Sequence, residues 1–299
     1  MKQVSARREL RGAFPVQPEM RTNQQCLVFK KFKETAKIEW LQDARVRNEE
    51  AMSPGTHRLD SSVNWDSDSQ RKFWNAWDTQ HLQTVGEETR RRGDEVLGLI
   101  SSLNLERPRI LEIGCGNGWL AEQLLSFGPV TGVDIADAAI QEARRRVPSA
   151  EFHSGNILEM GLPHNSFDVV VTLETFSHVA DQPKLIEVIA NLLRDRGYLI
   201  LTTQNRGIYM RNSRIAPPAE GQLRRWVTMQ ELRRLLSGRF ECLRSGTVEP
   251  GGNRGLLGVV NSVKVTSFLS RIFSKERVVR AKERLGLGQT LVMLARKRR

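Results

Sequence analysis

The stretch Arg109-Ile110-Leu111-Glu112-Ile113-Gly114-Cys115-Gly116-Asn117-Gly118-Trp119-Leu120 decides the fold. Its first half is a short apolar run, its middle a glycine cluster, and its end opens a helical pattern. That order predicts a strand, a tight turn and a helix, with the turn stripped of side chains so that a ligand can lie against its backbone. A second apolar run, Pro129-Val130-Thr131-Gly132-Val133, ends in Asp134, about 20 residues after Gly114. An acid at that place is where a doubly wound sheet holds the ribose of a nucleoside-containing cofactor. The competing reading of Asp134 is a helix N-cap.

The turn departs from the dinucleotide-binding form G-x-G-x-x-G, because Trp119 stands where the third glycine would be. A pyrophosphate needs close packing at the helix N-terminus, which a bulky indole opposes. Glu112, two residues before the first glycine, would also repel it, whereas a cofactor with a cationic amino acid end suits that carboxylate. The segments E-I-G-C-G-N-G and V-D-I resemble motif I and the acidic position after it in the class I S-adenosylmethionine-dependent methyltransferases.

The resemblance implies an α/β fold: a doubly wound, mostly parallel seven-stranded sheet, Rossmann-like, with its last strand antiparallel. It also implies S-adenosylmethionine as cofactor. The backbone of Gly114, Cys115, Gly116 and Gly118 would then meet the methionine moiety, and Glu112 would hold its cationic end, partly through water. Asp134 would accept the ribose hydroxyls, which a carboxylate does well. In Ser154-Gly155-Asn156-Ile157 the superfamily usually has an acid where Asn156 stands, and the amide oxygen would accept from the adenine amino group. Ile135 and Ile157 would sandwich the ring.

Periodicity carries the pattern outward from the turn. Strands are expected at Ile110–Ile113, Thr131–Val133, Glu151–His153, Phe167–Leu173 and Gly197–Thr203, then near Phe240–Thr247 and Gln289–Ala295. Helices at Leu120–Ser126, Ala138–Arg146 and Pro183–Leu193 alternate with the early strands, the rhythm of a parallel sheet covered on both faces. Two helices, Gln70–Leu82 and Glu87–Leu103, precede this core. Phe73, Trp74, Trp77 and His81 share one side of the first, either as ordinary packing or, as in many class I methyltransferases, as a cover over the cofactor. Three regions follow: an N-terminal extension over residues 1–52, poorly ordered; N-terminal helices over the cofactor site in residues 53–104; and a methyltransferase domain over 105–299, with a helical insertion at about 250–288 before the last strand.

Within that insertion Val265, Phe268, Leu269, Ile272 and Phe273 fall at helical intervals among Arg271, Lys275, Arg277, Arg280, Lys282 and Arg284. The stripe reads either as a lid over the acceptor pocket or as a basic membrane-surface helix. A similar short pattern, Phe29, Phe32, Ala36 and Trp40 among lysines, lies in the extension.

Leu173-Glu174-Thr175-Phe176-Ser177-His178-Val179, with Thr203-Gln204-Asn205-Arg206, resembles the ubiquinone-biosynthesis O-methyltransferases and their relatives. In that group an acid-acid-His set can hold a divalent metal. Glu174 and His178 match, but Ser177 replaces the second acid, so no metal is expected, since hard cations need several oxygen ligands. Glu174 and His178 are the candidate catalytic residues. His178 serves as general base or else packs as a structural histidine under a cover. The Asn/Asp-Pro-Pro-aromatic segment of amino-methyltransferases acting on bases is missing. Neither Cys115, in the turn, nor Cys242, in a late strand, suits cytosine C5 chemistry.

The chain has 299 residues, 39% hydrophobic and 27% charged, with a net charge of +12. Residues 1–52 carry 11 Lys/Arg against 7 acids, residues 53–205 carry 14 against 21, and residues 206–299 carry 21 against 6. The basic C-terminal third suits lipid headgroups or nucleic acid, or is a solvated arginine-rich face. Three scattered cysteines, and the lack of a membrane span or secretory apolar core, predict a cytoplasmic protein, with peripheral membrane contact left open. Three functions remain in play: methyl transfer, on oxygen, to a small-molecule or lipid-like acceptor; methylation of nucleic acid, disfavoured by the missing motifs; and a non-catalytic cofactor-binding scaffold.

Overall fold

A computed structural model describes residues 67–81, 85–213, 215–216, 218–219 and 221–299, all in one compact unit that begins at Val63. The expected extension over 1–52, its short basic pattern and residues 53–66 lie outside the described residues.

The strands are β1 (Ile110–Ile113), β2 (Val130–Asp134), β3 (Glu151–Ser154), β4 (Phe167–Leu173), β5 (Leu193–Gln204), β6 (Phe240–Pro250) and β7 (Gly288–Lys297). They form one sheet in the order β3-β2-β1-β4-β5-β7-β6. The first five pair in parallel, and β7 runs antiparallel between β5 and β6. This is the seven-stranded, mostly parallel sheet expected from the motif resemblance. The period of two explains how its centre is filled. Leu111, Ile113, Val170, Leu199 and Leu201 point into one apolar layer, whereas Ile110, Val169, Val171 and Ile200 point into the other. Each central strand is therefore largely apolar, as in sheets buried on both faces.

Two helices precede the sheet, α1 (Ser67–His81) and α2 (Glu87–Ser102). Within the core run α3 (Trp119–Leu124), α4 (Asp137–Arg146), α5 (Gln182–Leu192), a single turn α6 (Arg206–Tyr209) and α7 (Met229–Leu236). Val96, Leu99 and Ile100 of α2 pack with Leu120 and Leu124 of α3 on one face, and Leu185, Ile186 and Ile189 of α5 cover the other. An Asp181 side chain that accepts from the Lys184 amide, followed by Pro183 in the first turn, starts α5. The helix α7 was not foreseen. Its start is a capping box between Thr228 and Glu231, so the signal was present as Thr-x-x-Glu ahead of Leu232 and Leu236.

The insertion between β6 and β7 folds as three short helices, α8 (Gly255–Val260), α9 (Val263–Ser270) and α10 (Lys275–Arg284). The Val265–Phe273 stripe is thus not one continuous helical face. The chain turns after Ser270, and Ser274 caps the next helix by accepting from the Arg277 amide. Val265, Leu269 and Phe273 are half-buried, whereas Phe268 and Ile272 stay 61% and 53% exposed. No helix among the described residues is long and apolar enough to cross a membrane.

Candidate active site

The carboxyl ends of β1, β2 and β4 meet around the glycine turn. The amides of Gly114 and Cys115 both donate to the Val133 carbonyl, which ties the turn to β2. Gly114 and Gly116 both adopt left-handed backbone, with φ of 77° and 50°, but for different reasons. A Cβ on Gly114 would lie 1.9 Å from Thr175 Oγ1, so this glycine makes room for the segment after β4. A Cβ on Gly116 would meet no atom within 4 Å. Of the two, only Gly116 opens the backbone to a ligand. The Cys115 side chain turns away into the core, leaving its backbone alone to face the turn.

Asp134 joins this turn directly. Its Oδ2 accepts from the Gly116 amide and its Oδ1 from the Ala136 amide, each at 2.9 Å. The second contact is the local bond that a capping acid makes; the first reaches across to the turn. Burial raises the Asp134 carboxyl above its ordinary value, against the pull of these amides. Glu112 lies beneath, only 2% exposed, with Oε2 lacking any hydrogen-bond partner. Burial, and then the nearby Asp134, push its carboxyl well above the usual range. The site therefore holds two buried carboxyls, with no cation paired to either among the described residues.

Trp119 explains itself in three dimensions. Its indole lies against Gly93 of α2, where a Cβ would approach within 2.4 Å of the ring. The position denied to a third glycine is used to seat α2 on the turn.

Helix α1 crosses the loops after β2, β3 and β4. Asn75 Oδ1 accepts from the Ala138 amide at the start of α4, at 3.0 Å. Asn156 Nδ2 donates to Ser67 Oγ and to Glu159 Oε1, each at 2.8 Å, and its Oδ1 accepts from the Leu158 amide. Trp74 meets the His178 ring edge-on, with centroids 4.8 Å apart, and forms a cluster with Phe73 and Trp77. The aromatics of α1 thus pack on the loops rather than in the sheet core. Ile135 is half-buried beside Asp134, whereas Ile157 is 8% exposed and belongs to the core layer under α5.

Glu174 and His178 follow β4, the His on a 3-10 turn over Phe176–His178. His178 Nδ1 lies 2.7 Å from the Leu223 carbonyl, to which it donates. That bond fixes the neutral tautomer with its lone pair on Nε2. Burial holds the imidazole down at about 4, so the ring is uncharged at neutral pH. The Ser177 hydroxyl, fully buried, donates to Gln204 Oε1. Glu174 adopts left-handed backbone, with φ of 61°, and its amide donates to both Thr202 O and Thr202 Oγ1. Its Oε2 lies 3.5 Å from Arg92 Nη1 of α2, and burial raises the carboxyl to about 7 against that cation. Sequence reasoning missed Arg92, since nothing local links α2 to β4.

Comparison with known proteins places this geometry. Residues 111–201 match the methyltransferase domain family. Over that stretch the chain is similar to S-adenosylmethionine-dependent methyltransferases. S-adenosylmethionine is the cofactor of that superfamily. A probable S-adenosylmethionine-dependent methyltransferase of Mycobacterium tuberculosis is 36% identical over 98 residues, 32% of this chain and 36% of the relative. A ubiquinone biosynthesis O-methyltransferase of Aromatoleum aromaticum is 33% identical over 104 residues, 33% of this chain and 44% of the relative. The 27-O-demethylrifamycin SV methyltransferase of Amycolatopsis mediterranei is 32% identical over 133 residues, 42% and 48% of the respective chains. The chain thus spans between a third and a half of the length of these curated relatives.

Among solved structures, the putative methyltransferase in complex with the Trm112 activator of Haloferax volcanii superposes with a TM-score of 0.52. That match has 15% identity and covers 80% of this chain and all of the other. The PH0226 protein of Pyrococcus horikoshii gives 0.51 at 15% identity, covering 71% and 92%. These likenesses concern the methyltransferase fold alone.

Proposed function

We propose that this protein transfers the methyl group of S-adenosylmethionine to a small-molecule or lipid-like acceptor, on oxygen. The observation that carries the reading is the unpaired, buried Glu112 oxygen beneath a turn whose Gly116 is open and hydrogen-bonded to Asp134. A sulfonium amino acid with a ribose fits such a donor set: a carboxylate for the ammonium, bare backbone for the methionine chain, and a carboxylate for the two hydroxyls. One of the relatives described above is an O-methyltransferase by name and another is named for a 27-O-demethyl compound, which supports oxygen as the atom methylated.

Bound there, the cofactor supplies an electrophilic methyl group. The chain contributes position and a proton acceptor. Gly116 and Cys115 present backbone to the methionine moiety, Gly118 packs against Ala143 and Phe152 beside them, and Asp134 fixes the ribose. Ile135 and Asn156 border the adenine, and Ile157 braces that loop from the core. Helix α1 covers these loops and excludes water. His178, held in its neutral tautomer, and Glu174 stand on the acceptor side to take the hydroxyl proton.

A second observation bears on the acceptor. Lys264, Phe268, Arg271 and Ile272 are exposed along α9 and the turn after it, and exposed Lys275 opens α10. Mixed cations and large apolar groups suit an anionic lipid surface better than nucleic acid, where hydrogen-bonding and stacking groups are used. The lipid-like acceptor is therefore the favoured form of the proposal.

The test is to incubate the protein and a cell extract with methyl-labelled S-adenosylmethionine and analyse the products by mass spectrometry. Label in a small molecule or lipid, lost on mild hydrolysis of an oxygen-linked methyl where it is an ester, is the expected result. Label confined to nucleic acid would favour the basic C-terminal third as an RNA or DNA contact. No label alongside tight S-adenosylhomocysteine binding would leave a cofactor-binding scaffold.

A further inference from the structure

Arg92 lies between two glutamates that are distant in sequence. Its Nε donates to Glu249 Oε2 at 3.0 Å, and its Nη1 lies 3.5 Å from Glu174 Oε2. The three side chains are only 12%, 6% and 15% exposed. Both acids depart from ordinary strand geometry in the same way. Glu174 at the end of β4 has φ of 61°, and Glu249 near the end of β6 has φ of 62°. Left-handed backbone is costly for a residue with a side chain and concentrates at functional sites.

The surroundings come from every side. From α2, Glu88 Oε2 lies 3.5 Å from Arg92 Nη2 at the solvent edge. From β5, Thr202 donates to Glu174, and from β7, Gln289 Nε2 donates to Glu249 Oε2 at 3.4 Å. Glu283 of α10 accepts from the Glu249 amide and pairs with Arg91, and Tyr209 of α6 adds its phenol. The buried set thus holds one cation against two carboxyls, and Glu174 Oε2 and Glu249 Oε1 both lack a hydrogen-bond partner. A net negative charge in such a place is expensive, and binding one proton removes it.

We propose that Arg92 and Glu249 are positioning residues of the acceptor site: the guanidinium, anchored on Glu249, holds the Glu174 carboxyl, and the two carboxyls carry one proton between them. This rests on the reading of Glu174 as an acceptor-side group. With the proton on Glu249, Glu174 is ionised and takes the acceptor's hydroxyl proton. Burial raises both carboxyls, in keeping with a shared proton. Glu249 also lines a cavity of about 360 Å³ with Asn261, Thr266, Lys282 and Gln289, a route by which the pair exchanges that proton with solvent.

The experiment is carbon-13 NMR of the full chain labelled at the glutamate carboxyls, titrated without any acceptor. The Glu174 and Glu249 signals are identified by their loss in Glu174→Gln and Glu249→Gln. In the parent, each should titrate in two steps that mirror the other. In Glu249→Gln, the Glu174 midpoint should fall by at least one pH unit, a tenfold change in proton affinity. In Arg92→Met it should rise, and Arg92→Lys should recover part of the shift, which a purely structural role would not produce. Independent single-step titrations of the two assigned signals in the parent would overturn the proposal, and where a glutamine variant fails to fold, Glu174→Asp or Glu249→Asp identifies the signal by its loss. Coupled titration together with no methyl transfer in any extract would instead leave the pair intact and sink the methyltransferase reading.

Discussion

The Gly116 amide donates to the Asp134 carboxylate across 2.9 Å, so the turn after β1 and the acid after β2 form one rigid element. Anything that loosens Asp134 therefore loosens the turn as well. Asp134→Ala should weaken S-adenosylhomocysteine binding by about 1.5–3 kcal/mol, as for lost hydrogen bonds to a charged group. Asp134→Asn, which keeps one acceptor oxygen, should lose less. Isothermal calorimetry decides the matter, and unchanged affinity in the alanine variant would remove Asp134 from the cofactor site.

The two glycines should fail differently. Gly116→Ala has room for its methyl group but must keep φ near 50°, a strain of about 1–2 kcal/mol. It should fold, with a lowered melting temperature, and bind the cofactor poorly because the methyl group enters the open side. Gly114→Ala collides with Thr175 and should unfold or expand the loop. Adding Thr175→Gly should restore much of that loss. Equal binding defects at equal stability would contradict the distinction.

The ionisable pair after β4 gives two opposite pH signatures. Glu174 rises from 4.5 to about 7 on folding, so its contribution to stability is full below about 4.5 and is lost as pH climbs through about 7. His178 falls from 6.5 to about 4, so its contribution is full above about 6.5 and is lost as pH drops through about 4. Glu174→Gln should therefore gain melting temperature relative to the parent between pH 5 and 8. His178→Gln should gain relative to the parent between pH 6.5 and 4. Parallel melting curves across pH would refute both assignments.

Once a product is known, His178→Ala should reduce turnover far more than cofactor affinity. The Nδ1 bond to Leu223 and the edge contact with Trp74 make a structural role the alternative, and comparable losses of both quantities would establish it.

Exposed Phe268 and Ile272 among Lys264, Arg271 and Lys275 should bring the protein down with vesicles containing anionic lipid but not with neutral ones. Each cation near the surface adds about 1 kcal/mol, so raised salt should release it. Because Phe268 is solvent-facing, Phe268→Glu should fold normally and lose the vesicles. A parent that ignores vesicles would return the insertion to a purely local role.

What the sequence makes legible is what repeats locally. The apolar run into glycine predicts β1 at Ile110–Ile113, and the largely apolar run of β4 marks Phe167–Leu173, both as the structure has them. The Val265–Phe273 stripe misled because periodicity alone does not register the break at Ser270 and the cap at Ser274. Glycines in a turn announce missing side chains, but not whether a ligand or Thr175 occupies the space. Arg92 was invisible for a similar reason. Its partners, Glu174 just after β4 and Glu249 in β6, are brought near α2 only by the strand order, and a charge on a helix otherwise reads as solvated surface.

That strand order has a bearing on how the protein is built. β6 has no neighbour in the sheet except β7, and β7 is wedged between β6 and β5. Until Gly288–Lys297 has entered that slot, the backbone of β5 is a bare, apolar edge and β6 has nothing to pair with. The later segment is thus an internal strand rather than a trimming. A chain cut ahead of Gly288 would be expected to join edge to edge with its own copies, because the open flank of β5 offers the hydrogen bonds that β7 would have taken.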